Sequence, residues 1–306
     1  MKQEHTAALP RTDLACERLR ADTAQEGVEY REEEGEGYRI ARLRITSRAG
    51  ADSIGKPVGS YVTLSFPPLY ELDEGAVSRL AKVLSRLLRE LCESIGCQPR
   101  TVLVVGLGNR YMTSDAIGPE SVRQMLATRH LHLEDPELFS KFSEAELALL
   151  APGVMAQTGM EAQLLVAGAV DAIHPDLVIA VDALAARSTS RLATTVQLSD
   201  TGIRPGSGIG NPRRAIDREG LGVPVVAIGI PTVVDTRTLV YDAFANAGLS
   251  DGEIPARLAE VLTEGASYFV APRESDEVTE RAAQMVATAV NLTFSAGLLG
   301  TDEGDA

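Results

Sequence analysis

Residues 101–109 have the sequence TVLVVGLGN, and this stretch decides the fold class. Its first five residues form an unbroken apolar run, which is typical of a strand buried on both faces of a parallel sheet. The glycines that follow allow the backbone to turn sharply where that strand ends. A helix is predicted from Pro119 onward, so the region has the order strand, loop, helix.

The same order recurs along the chain. Further apolar runs of strand length lie at residues 177–181, 192–198 and 223–230. The first of these runs ends at Asp182. Apolar residues at helical spacing predict helices at residues 73–97, 236–246 and 276–297. Strands that alternate with helices predict an α/β fold, a mostly parallel sheet flanked by helices, with its functional side chains at the carboxyl ends of the strands.

The N-terminal part has a different pattern. Residues 1–30 are polar and predict a flexible leader, while residues 31–37 are acidic and rich in turn formers. The runs at residues 38–46 and 61–66 predict strands. We therefore expect a small β-rich addition over about residues 31–70, as part of one domain or as a subdomain.

Composition excludes several classes of function. The formal net charge of −14 argues against broad binding to phosphate backbones, so nucleic acid is not an expected partner. The longest apolar runs are of strand length and no export signal is visible, so no membrane association is expected. Three cysteines and four histidines lack the spacing of a metal site, and the odd cysteine count is typical of a reducing, cytoplasmic compartment. We expect neither a metal nor a cofactor.

Several glycine-rich motifs resemble known sites without completing them. The stretch after residue 105 lacks the third glycine of a dinucleotide loop, because Tyr111 occupies that position. Asp200 begins an Asp-Thr-Gly triplet that has no second copy in the chain. The segment 202–211 lacks the Gly-Lys-Ser/Thr of a phosphate loop. We interpret it as a loop that walls a cleft and binds the main chain of a substrate through Gly206, Ser207 and Gly208.

Two carboxylates are the candidate catalytic groups. Asp182 follows a buried strand, and Asp115 lies in the loop before the helix at Pro119. Asp115 or Ser114 could instead be an ordinary helix cap. A pair of nearby buried carboxylates keeps one member protonated, so that one can accept a proton from water while the other donates to a carbonyl oxygen. This chemistry would hydrolyse a peptide bond.

The sequence resembles the germination proteases of endospore-forming bacteria. The matching motifs appear in order: RTDLA at 11–15, GKP at 55–57, VGLGN at 105–109, TSDAIGP at 113–119, APGVM at 151–155, VDALA at 181–185, DTGI at 200–203, PGSG at 205–208, GVPV at 222–225 and PTVVD at 231–235. The resemblance implies an atypical aspartic endopeptidase with Asp115 and Asp182 as catalytic residues. It also implies a fold similar to hydrogenase maturation endopeptidases.

The same resemblance implies a biological setting. Members of the family degrade small acid-soluble spore proteins during germination, in the spore core, and are made as homotetrameric zymogens with an N-terminal propeptide. The preferred cleavage site of the family resembles residues 13–17, so self-cleavage between Asp13 and Leu14 is predicted, which makes residues 1–13 the propeptide and residues 14–306 one α/β peptidase domain. The alternative is an ordinary helix start with Thr12 as its cap.

Two other functions stay open from the sequence. The glycine loop and the acidic-Ala-Ile-Gly step are also similar to nickel-dependent hydrogenase maturation endopeptidases, in which Asp115 and Asp182 would be metal ligands. The later loops contain no histidine that could be the third ligand. The second alternative is a spore protein that binds the same substrates without cleaving them.

Overall fold

The structure is a computed structural model, and it describes residues 12–19, 25–208, 210, 213–248, 268–295 and 297. One sheet runs through this part of the chain in the order β1-β2-β3-β7-β8-β6-β4-β5, and β9 pairs with β8. The strands are β1 (Val28–Gly35), β2 (Tyr38–Ile45), β3 (Gly59–Ser65), β4 (Thr101–Gly106), β5 (Glu146–Leu150), β6 (Leu177–Ala186), β7 (Thr195–Ser199), β8 (Val225–Asp235) and β9 (Phe269–Val270).

The described helices cover both faces of this sheet. They are α1 (Arg48–Ile54), α2 (Glu74–Ser94), α3 (Ile117–Gln124), α4 (Arg129–Glu134), α5 (Pro136–Phe142), α6 (Met155–Thr158), α7 (Ala162–Ile173), α8 (Arg218–Leu221), α9 (Thr236–Asn246) and α10 (Ser275–Phe294). Strands β8, β6, β4 and β5 are parallel to one another, and the other strand pairs are antiparallel. The predicted α/β fold is therefore confirmed.

The two faces of the sheet are covered differently, and this difference creates the cleft. Helices α2 and α10 bury one face in a continuous apolar core. On the opposite face, α7 covers the parallel strands, while α1 packs over β2 and β3. Between these two covers, the face carries polar side chains and residues 12–19, which we call the N-terminal segment.

Local structure agrees with the sequence at most strands and differs in several places. Strand β4 and helix α2 lie where they were predicted. The acidic run at residues 31–37 was predicted to be turn-rich, and residues 36–37 do form the turn between β1 and β2. Residues 31–35 belong instead to β1, an exposed edge strand, so for them the prediction was wrong, because charged residues are tolerated on a strand that borders solvent. The strand predicted to end at Asp182 continues to Ala186, and the strand predicted to end at residue 230 continues to Asp235.

The region between residues 129 and 173 contains four helices and strand β5, none of which the apolar spacing had indicated. The predicted N-terminal addition consists of β1, β2 and β3, which continue the same sheet beyond β7. Of the predicted flexible leader, residues 12–19 and 25–30 are described, and the rest lies outside the described residues. For the described parts the prediction was wrong, because Leu14 and Ala15 are completely buried and Val28 begins β1. Among the helices that are described, none is long and apolar enough to cross a membrane.

Candidate active site

Asp182 lies in β6 just beyond the point where the neighbouring strand β4 ends. The last residue of β4, Gly106, pairs with Val181 of β6, so Asp182 is the first residue of β6 that has no partner in β4. Its side chain is on the sheet face that carries the cleft, because Val178 and Ala180 of the same face pack beneath α7. Only 5% of Asp182 is exposed. The prediction that Asp182 ends a strand was wrong, but it does lie where the neighbouring strand has ended.

The loop that follows β4 brings Asp115 to this same end of β4. The amide of Leu107 donates to the carbonyl oxygen of Val181 at 2.8 Å, which ties this loop to β6. Asp115 ends a short 3-10 helix, and its Oδ2 accepts a hydrogen bond from the amide of Asn109 at 2.9 Å. The interpretation of Asp115 or Ser114 as a helix cap was wrong, since the N-cap of α3 is Ala116 and no side chain caps that helix.

Two glycines make this arrangement sterically feasible. Gly108 has φ +113°, and a Cβ there would lie 2.0 Å from the carbonyl oxygen of Asp115. A Cβ on Gly118 would lie 2.2 Å from the carbonyl oxygen of Leu107. The glycines of this motif therefore allow the backbone of the Asp115 segment to pack directly against the end of β4.

Both aspartates line one cavity of about 310 Å³, which we call the aspartate cavity. Apolar side chains form part of its wall, among them Leu107, Met112, Val154, Leu184 and Phe269. Arg213 and Arg214 also line it. The two carboxylates thus share a confined space with a partly apolar wall.

The pKa values of the two acids are shifted by different combinations of causes. Burial raises the pKa of Asp182 well above its ordinary value, and the negative charges of Asp115 and Asp13 raise it further. Burial also raises the pKa of Asp115, while the hydrogen bond from the Asn109 amide opposes that shift. Asp182 is therefore the member of the pair that holds a proton more readily, and Asp115 is the member that ionises first.

Asp13 is a third carboxylate, and it also lines the aspartate cavity. Its backbone amide donates to the carbonyl oxygen of Ala185 at 2.9 Å, and its Oδ2 accepts from the amide of Ala185 at 3.0 Å. Its Oδ1 accepts from the hydroxyl of Ser207 at 2.7 Å. A Cβ on Gly208 would lie 2.1 Å from Oδ2, so the loop can approach this carboxylate only because residue 208 is glycine.

A second cavity of about 790 Å³ lies on the other side of Asp13, which lines both spaces. Lys56, Arg18 and Arg204 are among its lining residues. Burial lowers the pKa of Lys56, and the negative charge of Asp13 opposes that shift. The Asp13 carboxylate is therefore held by a hydroxyl and an amide, with an ammonium group close enough to interact with it.

The residues after Asp13 are also held against β6. The side chain of Leu14 is completely buried against Leu184, Ala186 and Val234. Glu17 accepts hydrogen bonds from the amides of Arg187 at 2.8 Å and Ser188 at 2.9 Å. The segment thus presents an acid, a buried leucine and a second acid to three separate parts of the cleft.

Thr12 does not cap a helix. Its hydroxyl accepts from the amide of Leu14 at 3.0 Å and donates to the carboxylate of Glu17. The short 3-10 helix that follows begins after Ala15 and has no side-chain cap. The alternative interpretation of Thr12 was therefore wrong.

Sequence reasoning missed one side chain that contacts this segment. Gln197 of β7 accepts a hydrogen bond from the amide of Ala15 at 2.7 Å and donates to the carbonyl oxygen of Asp13 at 3.4 Å. Its signal in the sequence was an amide between two apolar residues, Val196 and Leu198, in the run at residues 192–198. No group of three or more His, Cys, Asp or Glu side chains in the described part of the chain is placed to hold a metal ion.

Comparisons with known proteins agree with the motifs. The profile of a family described as germination protease matches residues 9–247. A germination protease from Caldanaerobacter subterraneus subsp. tengcongensis is 39% identical over 310 residues, which cover 94% of this chain and 95% of that protein. One from Clostridium perfringens is 35% identical over 318 residues, covering 95% and 97%.

A solved structure was also found. It is a NiFe-hydrogenase maturation protease from Thermococcus kodakarensis, with 16% sequence identity and a TM-score of 0.37. The match covers 67% of this chain and 99% of that protein.

Proposed function

Because the chain belongs to the germination protease family, we propose that it is an aspartic-type endopeptidase in which Asp115 and Asp182 activate one water molecule. The observation that carries this proposal is that both carboxylates line one confined cavity and that the charge of Asp115 raises the pKa of Asp182. Two carboxylates that differ in this way are suited to opposite proton transfers.

The directions of the two pKa shifts suggest the role of each acid. Ionised Asp115 accepts a proton from water while the water oxygen adds to the carbonyl carbon of the substrate. Protonated Asp182 donates its proton to the carbonyl oxygen. The tetrahedral intermediate then carries two hydroxyl groups, and both protons are accounted for.

Collapse of this intermediate reverses the roles. Asp182 takes a proton back from one hydroxyl group as the carbonyl bond reforms. Asp115 gives its proton to the nitrogen as the carbon–nitrogen bond breaks, which produces an acid and an amine. The pair returns to its starting state, with Asp115 ionised and Asp182 protonated, so no further reactant is needed.

The Asp13-Leu14 bond is the proposed site of self-cleavage, which would remove residues 1–13 as a propeptide. The support is that Asp13 lines the aspartate cavity while the residues that follow it are held in the cleft. Buried in this way, the segment would also exclude other peptides from the site until it is cut. The chain would then be made as a zymogen.

The proposed substrates are small acid-soluble spore proteins, degraded during germination in the spore core by a homotetramer. Support for the germination role comes from the family. Support for the type of bond comes from the segment itself, in which Asp13 and Glu17 flank Leu14 and Ala15. A substrate with acids at the same spacing could make the same contacts.

Asp115→Asn and Asp182→Asn test the proposal. Each amide keeps the size of the side chain and removes the proton transfer, so each variant should lose at least about 100-fold in the rate of propeptide release and of substrate cleavage. Mass spectrometry follows loss of residues 1–13, and circular dichroism checks folding. Asp52→Asn is the matched control, because Asp52 is an exposed residue of α1 that lines the other cavity.

A folded variant at either aspartate that retains near-normal cleavage would refute the paired-acid mechanism. Cleavage by the wild type should also survive exhaustive chelation. Loss of activity on chelation, with recovery on adding nickel or zinc, would favour the metal-dependent alternative. A wild type that binds spore proteins and never cleaves them would favour the binding-protein alternative.

A further inference from the structure

Gln197 is a buried polar residue on the same sheet face as Asp182. It is 7% exposed, and it lies in β7 between Thr195 and Ser199, two further buried polar residues that project to the same face. Its neighbours Val196 and Leu198 point to the opposite face and join the core beneath α2 and α10. A polar side chain on the cleft side of this strand contributes little to the core, so its contacts in the cleft are informative.

The register of the sheet places Gln197 in one row with Asp182. Asp182 pairs with Gly229 of β8, and Gly229 pairs with Gln197 of β7. Residues in one row project to the same face, and neighbouring strands lie about 4.8 Å apart, so the two backbones are about 10 Å apart. Gly229 contributes no side chain between them. A polypeptide crossing this row therefore has a carboxyl on one side and a primary amide on the other.

The N-terminal segment reaches from β6 to Gln197, because Asp13 is hydrogen-bonded to Ala185 of β6 and lines the aspartate cavity together with Asp182. The Gln197 side chain accepts from the amide of Ala15 and donates to the carbonyl oxygen of Asp13, so its two bonds bracket Leu14. The bonded carbonyl belongs to the Asp13-Leu14 peptide. In the ground state this donor bond is long, at 3.4 Å, whereas the acceptor bond is 2.7 Å. Catalytic hydrogen bonds are commonly long before the reaction and shorten when the acceptor gains charge.

Resting on the proposed function, we infer that Gln197 is a further catalytic residue, whose side-chain amide stabilises the charge that develops on the carbonyl oxygen of the cleaved bond. When water adds to that carbon, the electron pair of the carbonyl bond moves onto the oxygen. The Nε2 group donates a hydrogen bond to this oxygen, and it neither gains nor loses a proton. Removal of one such donor costs on the order of 100- to 1000-fold in rate in other hydrolases.

The test uses the full chain and follows release of residues 1–13 by mass spectrometry. Gln197→Met keeps the approximate size and loses both hydrogen bonds, so the rate should fall by about 100-fold at every pH. Gln197→Glu keeps the acceptor for Ala15, and it can donate to the carbonyl oxygen only while its carboxyl is protonated. Its rate should therefore exceed that of Gln197→Met at acidic pH and approach it at alkaline pH. Thr195→Val is the matched control, because Thr195 is a buried residue of the same strand and face and should keep the wild-type rate.

The outcomes separate this inference from the proposed function. If Asp182→Asn is inactive while Gln197→Met cleaves within about threefold of wild type, the role of Gln197 is wrong and the paired-acid mechanism stands. If both are as active as wild type, the proposed function has failed. Should Gln197→Met fold poorly by thermal unfolding, the pH dependence of Gln197→Glu decides alone, since a purely structural role would give it a rate that does not recover in acid.

Discussion

Asp182 and Gln197 face each other across Gly229, in one row of three neighbouring strands. Leu184 lies over this gap, because a Cβ on Gly229 would be 2.3 Å from its Cδ1 atom. Leu184 also lines both cavities. The cleft thus has Asp182, Gly229 and Gln197 in one row across the sheet, and the aliphatic side chain of Leu184 lies at its base.

The first prediction concerns the stability of the buried acid. The pKa of Asp182 is higher in the folded than in the unfolded chain, so the folded state binds more protons and becomes less stable as pH rises through the folded pKa. Asparagine does not ionise, so Asp182→Asn does not lose stability as the pH rises in this way. Its side-chain oxygen still accepts the hydrogen bond from the Ala183 amide. The inactive variant should therefore melt at a higher temperature than wild type at pH 8.

Thermal unfolding at several pH values measures this effect. A gain of about 1 kcal/mol corresponds to a rise in Tm of about 2–4 °C in domains of roughly 150–250 residues. The difference between variant and wild type should shrink as the pH falls and Asp182 becomes protonated. A variant that is less stable than wild type at pH 8 would show that the buried charge of Asp182 does not destabilise the folded protein.

Much of this site follows from the sequence, and the missing parts have a common cause. The strand β4, the glycine loop and the candidate pair Asp115 and Asp182 lie in short motifs whose local pattern is informative. The extension of β6 past Asp182 depends on pairing with β8, which is distant in sequence. The role of Gln197 depends on strand order, because β8 must lie between β6 and β7 for the row to exist. Neither the pairing of β6 with β8 nor the strand order can be predicted from the local spacing of residues.

The pH dependence of cleavage provides the second prediction. The proposed mechanism needs Asp115 ionised and Asp182 protonated, so the rate should fall on both sides of an optimum. Both pKa values are raised, so both limbs should lie above the ordinary carboxyl value of about 4. The charge of Asp13 raises the pKa of Asp182, and a substrate acid bound in its place would do the same. Replacing that substrate acid by the corresponding amide should therefore move the alkaline limb to lower pH.

Synthetic peptides that differ only at this residue allow the comparison. The acid limb, which reports Asp115, is the internal reference. An alkaline limb at the same pH for both peptides would mean that the substrate acid does not bind near Asp182.

The third prediction tests the glycine that positions Asp115. A Cβ on Gly108 would collide with the carbonyl oxygen of Asp115, and its φ of +113° is unfavourable for other residues. Gly108→Ala should therefore lower the rate of cleavage by at least about 10-fold, which corresponds to about 1.4 kcal/mol in the barrier. Gly159→Ala is the control, since Gly159 has φ +73° and no atom within 4 Å of a Cβ. That control should lose about 1–2 kcal/mol of stability and keep its activity. Equal activity in the two variants would contradict the proposed contact.

The fourth prediction concerns the second acid of the segment. Glu17 accepts from the amides of Arg187 and Ser188, and a glutamine would present an NH₂ group to one of these donors. A hydrogen bond to a charged group contributes about 1.5–3 kcal/mol, so Glu17→Gln should slow propeptide release by about 10- to 100-fold. Glu29→Gln, at an exposed position of β1, is the control. Unchanged release in Glu17→Gln would show that this anchor does not hold the cleaved bond in place.

The last prediction concerns the loop that contacts Asp13. The hydroxyl of Ser207 donates to its carboxylate, and Gly208 leaves room for it. Ser207→Ala should reduce kcat/KM by about 10- to 100-fold for peptides with an acid before the cleaved bond, because a hydrogen bond to a charged group contributes about 1.5–3 kcal/mol. Peptides with glutamine there should be affected much less. Ser53→Ala, in α1, is the control, because that hydroxyl donates to the carbonyl oxygen of Gly50 in its own helix. Gly208→Ala should weaken cleavage of both peptides, since its methyl group would occupy the space of either side chain. Equal losses for both peptides in Ser207→Ala would mean that Ser207 supports the loop and does not select the acid.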